Sequence, residues 1–282
     1  MGLSIEVAML VLIAAVLHAT WNTFIKASGD SLVTSTVIMA TGSSLCVLAL
    51  PWVPLPSTET WPCIAASVAI HNVYFLLLLQ AYRFADLSQA YPIARGTSPL
   101  IVAVFSGAVV GERLGWLQLG GAGLVAIGIG SLAGVGSAQR AVDRRGVFYA
   151  LACGLSIGAF ALVDAVGVRT SQNVFSFILW LTALECLPLV TFTIVRRRGR
   201  LLRSVVECGP RAVLGGVLAA VAYATVLWAY DNGPVAPVAA LRETSVVMAA
   251  LIGALRLGEP FGLRRVLAAA VVVAGVALLN RV

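Results

Sequence analysis

Two arginines set alike in long apolar stretches are the first sign of chemistry in this chain of 282 residues. Arg95 opens Arg95-Gly96-Thr97-Ser98, and Arg242 opens Arg242-Glu243-Thr244-Ser245, 147 residues later. An arginine inside a membrane helix costs at least about 2.5–3.5 kcal/mol on insertion scales, so it must face protein or water. Two roles suit such a pair. Each guanidinium anchors a carboxylate or phosphate, or each is held by the carbonyls of a broken helix or by a nearby acid. The acids in apolar stretches are Asp164, Glu185 and Glu243, and each could carry a proton or neutralise an arginine. Glu243 follows Arg242 directly, so on a helix their side chains diverge by about 100° and need not pair.

Polar-tipped aromatics form a second set. His71, Tyr74, Phe75, Leu78 and Tyr82 fall at helical spacing, His18, Trp21 and Asn22 lie together, and Tyr223, Leu227 and Tyr230 form one stripe. Such faces suit a cavity for an amphipathic solute, while Tyr82 and Tyr230 could equally be interfacial anchors. The candidate substrate-contacting residues are therefore His18, Trp21, Asn22, His71, Tyr74, Phe75, Tyr82, Arg95, Tyr223, Arg242 and Glu243. No catalytic residue, metal or cofactor is expected, because HExxH, GxSxG and a clustered metal-ligand set are absent. The cysteines Cys46, Cys63, Cys153, Cys186 and Cys208 lack CxxC spacing and read as small core residues.

Composition dictates the elements that position these residues. The chain is 60% hydrophobic and 11% charged, with mean hydropathy +0.98, against roughly 45–50% and about 25% in soluble domains. Apolar runs of about 20 residues make membrane helices, and ten are expected, near 4–26, 31–50, 61–82, 88–110, 115–135, 146–168, 174–195, 211–230, 235–256 and 261–280. The expectation is an all-α polytopic membrane protein, and runs this long disfavour a lipid-facing β-barrel. The first run lacks a cationic leader and is expected to stay as a helix.

The net charge of +7 lies between the runs, so it speaks for orientation in a bilayer rather than for a nucleic-acid partner. Fourteen cations follow odd-numbered runs: Lys26, Arg83, Arg140, Arg144, Arg145, Arg196, Arg197, Arg198, Arg200, Arg203, Arg211, Arg256, Arg264 and Arg265. Only Arg113, Arg169 and Arg281 lie on the other side. Cations stay cytoplasmic, which places both termini outside.

The offset of 147 also pairs Gly111-Glu112 with Gly258-Glu259, Ala103 with Ala250, Gly115 with Gly262, Ala122 with Ala269 and Gly128 with Gly275. Residues 1–138 and 139–282 thus read as two five-helix repeats. An odd span number inverts the second copy, a common plan of secondary transporters with substrate at the repeat interface. Pro92, Pro99, Pro234 and Pro237 interrupt the fourth and ninth runs beside the arginines. Glu112 and Glu259 are expected to stop one helix and favour the N-terminus of the next. Gly146, Ala150, Gly154 and Gly158, and the pairs Gly107/Gly111 and Gly130/Gly134, are expected to pack helices within a monomer.

The Arg-x-Thr-Ser stretch, the Gly-Glu loop, the Gly-rich fifth run and the duplicated five-helix unit resemble the drug/metabolite transporter superfamily of EamA type. The likeness covers essentially the whole chain and is greatest to the amino-acid exporters. It implies a basket-like ten-helix fold around a central cavity, in a bacterial cytoplasmic (inner) membrane. It also implies export of small metabolites, amino acids foremost, by alternating access. An anionic organophosphate or phosphonate is the alternative substrate, and an intramembrane enzyme a remoter one. The expected partners are a small-molecule substrate and the lipid bilayer. The small multidrug members carry a carboxylate in mid-span 1, where this chain has only Glu6 at the edge. Movement without an obligatory proton is therefore expected.

Overall fold

A computed structural model describes residues 2–85, 87–133, 143–197, 201–257 and 263–281. Among these residues the regular structure is helical, without strands. The α-helices are α1 (Ile5–Lys26), α2 (Ser31–Ala49), α3 (Trp61–Phe84), α4 (Leu87–Val109), α5 (Trp116–Gly130), α6 (Arg144–Thr170), α7 (Val174–Glu185), α8 (Leu187–Arg197), α9 (Leu201–Asn232), α10 (Val235–Glu243), α11 (Ser245–Leu257) and α12 (Leu263–Leu279). Among the described residues seven stretches are long and apolar enough to cross a membrane, with shorter apolar helices at Trp116–Gly130 and Val266–Leu279. Gly258-Glu259, Gly262, Gly134, the loop cations Arg140, Arg198 and Arg200, and the boundary at 138/139 lie outside the described residues.

Polar residues start the helices. The side chains of Ser4, Asp30, Asp143 and Asn173 accept from the first turns of α1, α2, α6 and α7, satisfying donors that a helix leaves open. Two of the expected runs are broken. Pro188 cannot donate to Leu184, and α7 gives way to α8 at Cys186. At Thr244 the backbone N–H turns to Leu241 O (3.1 Å) and the hydroxyl donates to the same oxygen (2.7 Å), which closes α10 before α11. Gly209, with φ 65°, kinks α9 ahead of Pro210. Gly111, with φ 79°, ends α4.

α6 lies against α3 and α4, α9 lies against α1 and α2, and α5 pairs with α12. Small residues permit these approaches. A Cβ on Gly158 would stand 2.6 Å from Ile101, and one on Gly154 would collide with Ala94 O. In the α5–α12 seam, a Cβ on Gly121 would lie 2.7 Å from Gly275 O, and one on Gly275 would lie 2.7 Å from Gly121 O. Gly128 meets Ala268 O in the same way, at 3.0 Å. Because 121 faces 275 while 128 faces 268, the two helices run antiparallel. Gly107 and Gly111 do not pack helices as expected: a Cβ at Gly111 meets nothing within 4 Å, and one at Gly107 meets only Glu112 O at 3.5 Å. Gly130 does lie at a helix approach, its backbone N 3.4 Å from where a Cβ on Gly96 of α4 would stand.

Large apolar side chains such as Ile13, Leu48, Val104, Phe148 and Val273 are exposed around the bundle, with Trp52 and Trp116 near helix ends. Those positions suit lipid and its interface. Tyr230, by contrast, is fully buried, so its stripe faces protein and the anchor role is corrected.

Candidate functional site

Polar side chains from six helices meet inside this bundle. Glu243, at the end of α10, is their centre and is wholly buried. Arg95 Nη1 of α4 donates to Glu243 Oε2 at 3.1 Å and Oε1 at 3.3 Å. Arg242 Nη2 donates to Oε1 at 3.3 Å. The neighbours on α10 therefore do pair. Both side chains leave the last turn before the break, and both are long enough to close the 100° between them. Three formal charges in mutual contact leave a surplus of one positive charge.

Arg95 Nη2 also bonds His18 Nε2 of α1. Arginine only donates, so Nε2 accepts and the ring proton sits on Nδ1. Trp21 stands edge-on to His18, with ring centroids 4.9 Å apart. Tyr91 presents its ring 5.3 Å from the Arg95 Cζ, and Phe160 of α6 lies 5.7 Å from that of Arg242, both within cation–π range. Arg242 Nε and Trp21 Nε1 are buried without a hydrogen-bond partner among the described residues. A buried charged donor left unpaired costs more than a neutral one, so this guanidinium is incompletely matched by the protein alone.

Phe160 is the wall shared with a second cluster. His71 of α3 stacks on it at 3.9 Å between centroids, and Tyr74 meets its edge at 6.1 Å. His71 Nδ1 lies 2.9 Å from Ser67 O and donates to it, which leaves Nε2 as an acceptor 3.5 Å from the Tyr223 hydroxyl. Tyr223 of α9 donates to Asp164 Oδ2 at 2.6 Å, and Ser67 donates to Asp164 Oδ1. Asp164, on α6, is fully buried.

Seven of the expected residues therefore converge: His18, His71, Tyr74, Arg95, Tyr223, Arg242 and Glu243. Trp21 joins them through His18. Asn22 instead spends its amide on His18 O of its own helix, at 2.7 Å. Phe75 sits at the edge of the α3 stripe nearer α8. With Asn72, Leu79, Pro188 and Phe192 it lines a separate apolar cavity of about 230 Å³. Tyr82 is 37% exposed at the far end of α3. Ser67, Tyr91 and Phe160 were not expected. Ser67 lies one helical turn before His71, a spacing that could have revealed it.

A third charged group binds the loops. Glu112 Oε1 accepts from Arg169 Nη2 at 2.6 Å, and Oε2 accepts from Val235 N at 2.8 Å. Arg169 also donates to Tyr230 O and Gly233 O, at 2.9 and 2.8 Å. Glu112 thus serves the N-terminus of α10, rather than that of the following α5. The turn at Gly111 points the acid toward the α9–α10 loop.

The model of the EamA-like transporter family matches residues 6–133 and, a second time, residues 144–281. The chain belongs to the EamA-like transporter family. As a transporter of that family it is a multi-pass membrane protein for small molecules. No curated protein matches the transporter's sequence. Among 29 solved chains that match, one described only as "Crystal structure of protein" has a TM-score of 0.71 at 17% identity. It covers 97% of the transporter, which covers 94% of it. That likeness is one of fold.

Proposed function

We propose that this transporter carries small amino acids outward across a bacterial cytoplasmic membrane by alternating access, as a relative of the amino-acid exporters. The carrying observation is the buried Arg95–Glu243–Arg242 group, with its single surplus positive charge and the unpartnered Nε of Arg242. One carboxylate balances that charge. A phosphate dianion would overshoot it, because Glu243 already takes half of the arginine charge. The wall of Phe160, His71 and Tyr74 suits an apolar side chain beside the headgroup.

Ten spans in two inverted repeats, 1–138 and 139–282, complete the proposal. Packing supports it. An offset of 147 turns the contact of Gly121 with Gly275 into that of Gly128 with Ala268. Such self-complementarity is what a two-fold relation requires. The same exchange turns α3 on α6 into α9 on α1, and both contacts are extensive. The family match also falls twice, once in each half.

The test is flux of labelled threonine, phenylalanine and glycerol phosphate through liposomes holding the purified chain. Amino-acid flux that Arg242→Met reduces at least tenfold, with fold retained, supports the proposal. Flux of glycerol phosphate alone overturns it.

A further inference from the structure

The apolar cavity beside α8 lies apart from the polar cluster. α3 supplies Phe75, Leu76 and Leu79 to it, and α8 supplies Pro188, Leu189 and Phe192, around about 230 Å³. α8 packs on α2, α7 and α9, while α3 stands off from it. A groove therefore runs between α3 and α8. Leu76, Leu79 and Phe192 are exposed, and in a bilayer they open this groove to lipid.

Its lining selects what can fill it. Asn72, at the inner end, donates its amide N–H to Val68 O at 2.6 Å, and the other walls are apolar. The occupant must be apolar along its length. From Asn72 to Leu79 the groove runs about 10 Å, at about 1.5 Å per residue. One leaflet contributes about 15 Å of a hydrocarbon core about 30 Å thick. An acyl chain of that leaflet has the matching length and chemistry.

The mouth of the groove is cationic. One turn beyond Leu79, on the same face of α3, stands Arg83, and one turn beyond Phe192 stands Arg196. The Arg196 Cζ lies 5.9 Å from the centre of the Phe192 ring, which holds its charge at the rim. Both arginines are exposed, and neither forms an ion pair among the described residues. Guanidinium forks match phosphate oxygens. A soluble anion would meet this charge but leave the groove empty. A zwitterionic lipid would fill the groove but bring a cation of its own to the arginines.

We propose that an anionic phospholipid is bound here, its phosphate at Arg83 and Arg196 and one acyl chain between α3 and α8. The site is independent of what the transporter carries. Its consequence falls on α8, a half-span set off from α7 by the break at Cys186 and Pro188. The Thr36–Thr193 hydroxyl bond, at 2.8 Å, ties α8 to α2. On the α3 side the acyl chain supplies the missing wall.

Native mass spectrometry of the detergent-purified chain, offered dioleoyl phosphatidylglycerol and dioleoyl phosphatidylcholine in equal amounts, tests this. Each arginine should favour phosphatidylglycerol by about fivefold, the equivalent of about 1 kcal/mol, and the two together by about 25-fold. Arg83→Gln and Arg196→Gln should each cut the preference about fivefold, and the double variant should abolish it. Leu79→Trp, which narrows the groove, should reduce retention of both lipids. Excess glycerol phosphate should displace neither. If Leu79→Trp does not fold, the arginine variants, at exposed positions near helix ends, still decide. Loss of amino-acid flux would leave these outcomes unchanged. Four results would overturn the proposal: equal retention of the two lipids, a preference that survives the double variant, displacement of the lipid by glycerol phosphate, or a lipid-free dimer that Leu79→Trp disrupts. The third would mark a site for a free anion, and the fourth a groove filled by a second copy of the chain.

Discussion

One carboxylate serving two arginines makes an asymmetric prediction. Removing either arginine leaves a neutral pair. Arg95→Met leaves Glu243 with Arg242 at 3.3 Å, and Arg242→Met leaves it with Arg95 at 3.1 Å. Removing the acid leaves two guanidinium groups facing each other in a buried site. Deleting one partner of a buried ion pair costs about 3–5 kcal/mol when a charge is stranded, and Glu243→Gln strands two. The arginine variants lose hydrogen bonds worth about 1–2 kcal/mol and are relieved of a buried charge. At about 2 °C per kcal/mol for a chain of this size, Glu243→Gln should lower the apparent melting temperature by about 6–10 °C, and each arginine variant by about 2–4 °C. Thermal aggregation of the detergent-purified proteins gives the comparison, with threonine flux measured on the same samples. Arg95→Met should lose flux far more than stability. If either arginine variant melts as low as Glu243→Gln, the charge balance assigned to the cluster is wrong.

Other outcomes follow from the packing and the topology. Gly121→Ala should destabilise by about 1–3 kcal/mol through overpacking of the seam, while Gly123→Ala on the same helix, where a Cβ meets nothing within 4 Å, should stabilise by about 0.5–1 kcal/mol; paired melting curves decide. A C-terminal alkaline phosphatase fusion should be active and the matching fluorescent-protein fusion dark, and the reverse would overturn the orientation. Glu112→Gln should cost less than about 1 kcal/mol, since its ion pair is partly exposed, yet raise external labelling of a cysteine placed at Asn232. Unchanged labelling would show that the Glu112–Arg169 contact does not hold the loop.

The class of the protein and the place of its arginines were legible because membrane helices announce themselves by length and hydropathy, and because a duplicated motif stands out against apolar sequence. His71, Tyr74 and Tyr223 were found by helical spacing alone. The partner of Arg242 was not, since the 100° rule describes Cβ directions and not the reach of two long side chains at a helix end. At the position matching Glu243, the first half has Gly96, whose Cβ would lie 2.9 Å from Ala126 O. The acid is therefore absent from one half for a reason of packing that sequence symmetry conceals. Glu112 was assigned to the nearer helix because sequence distance is visible and the fold-back of the α9–α10 loop is not. Phe75 was misplaced by a single step around α3, which a stripe read without its neighbouring helices cannot resolve.

The seam between α5 and α12 bears on how motion in this molecule could be measured. With backbone against backbone at Gly121 and Gly275, a slide of one turn would drive Val271 or Leu279 into space too shallow for a methyl group. The seam can turn about its length but not shift along it. Among the described residues, apart from Pro62 in the first turn of α3, the prolines within α-helices fall in α4, α8, α9 and α10, so bending is allotted to other helices. Spin labels on the outward faces of α5 and α12 would thus serve as a fixed ruler. Against it, a changing separation between labels on α4 and α10 could be assigned to movement of the helices that carry the arginines.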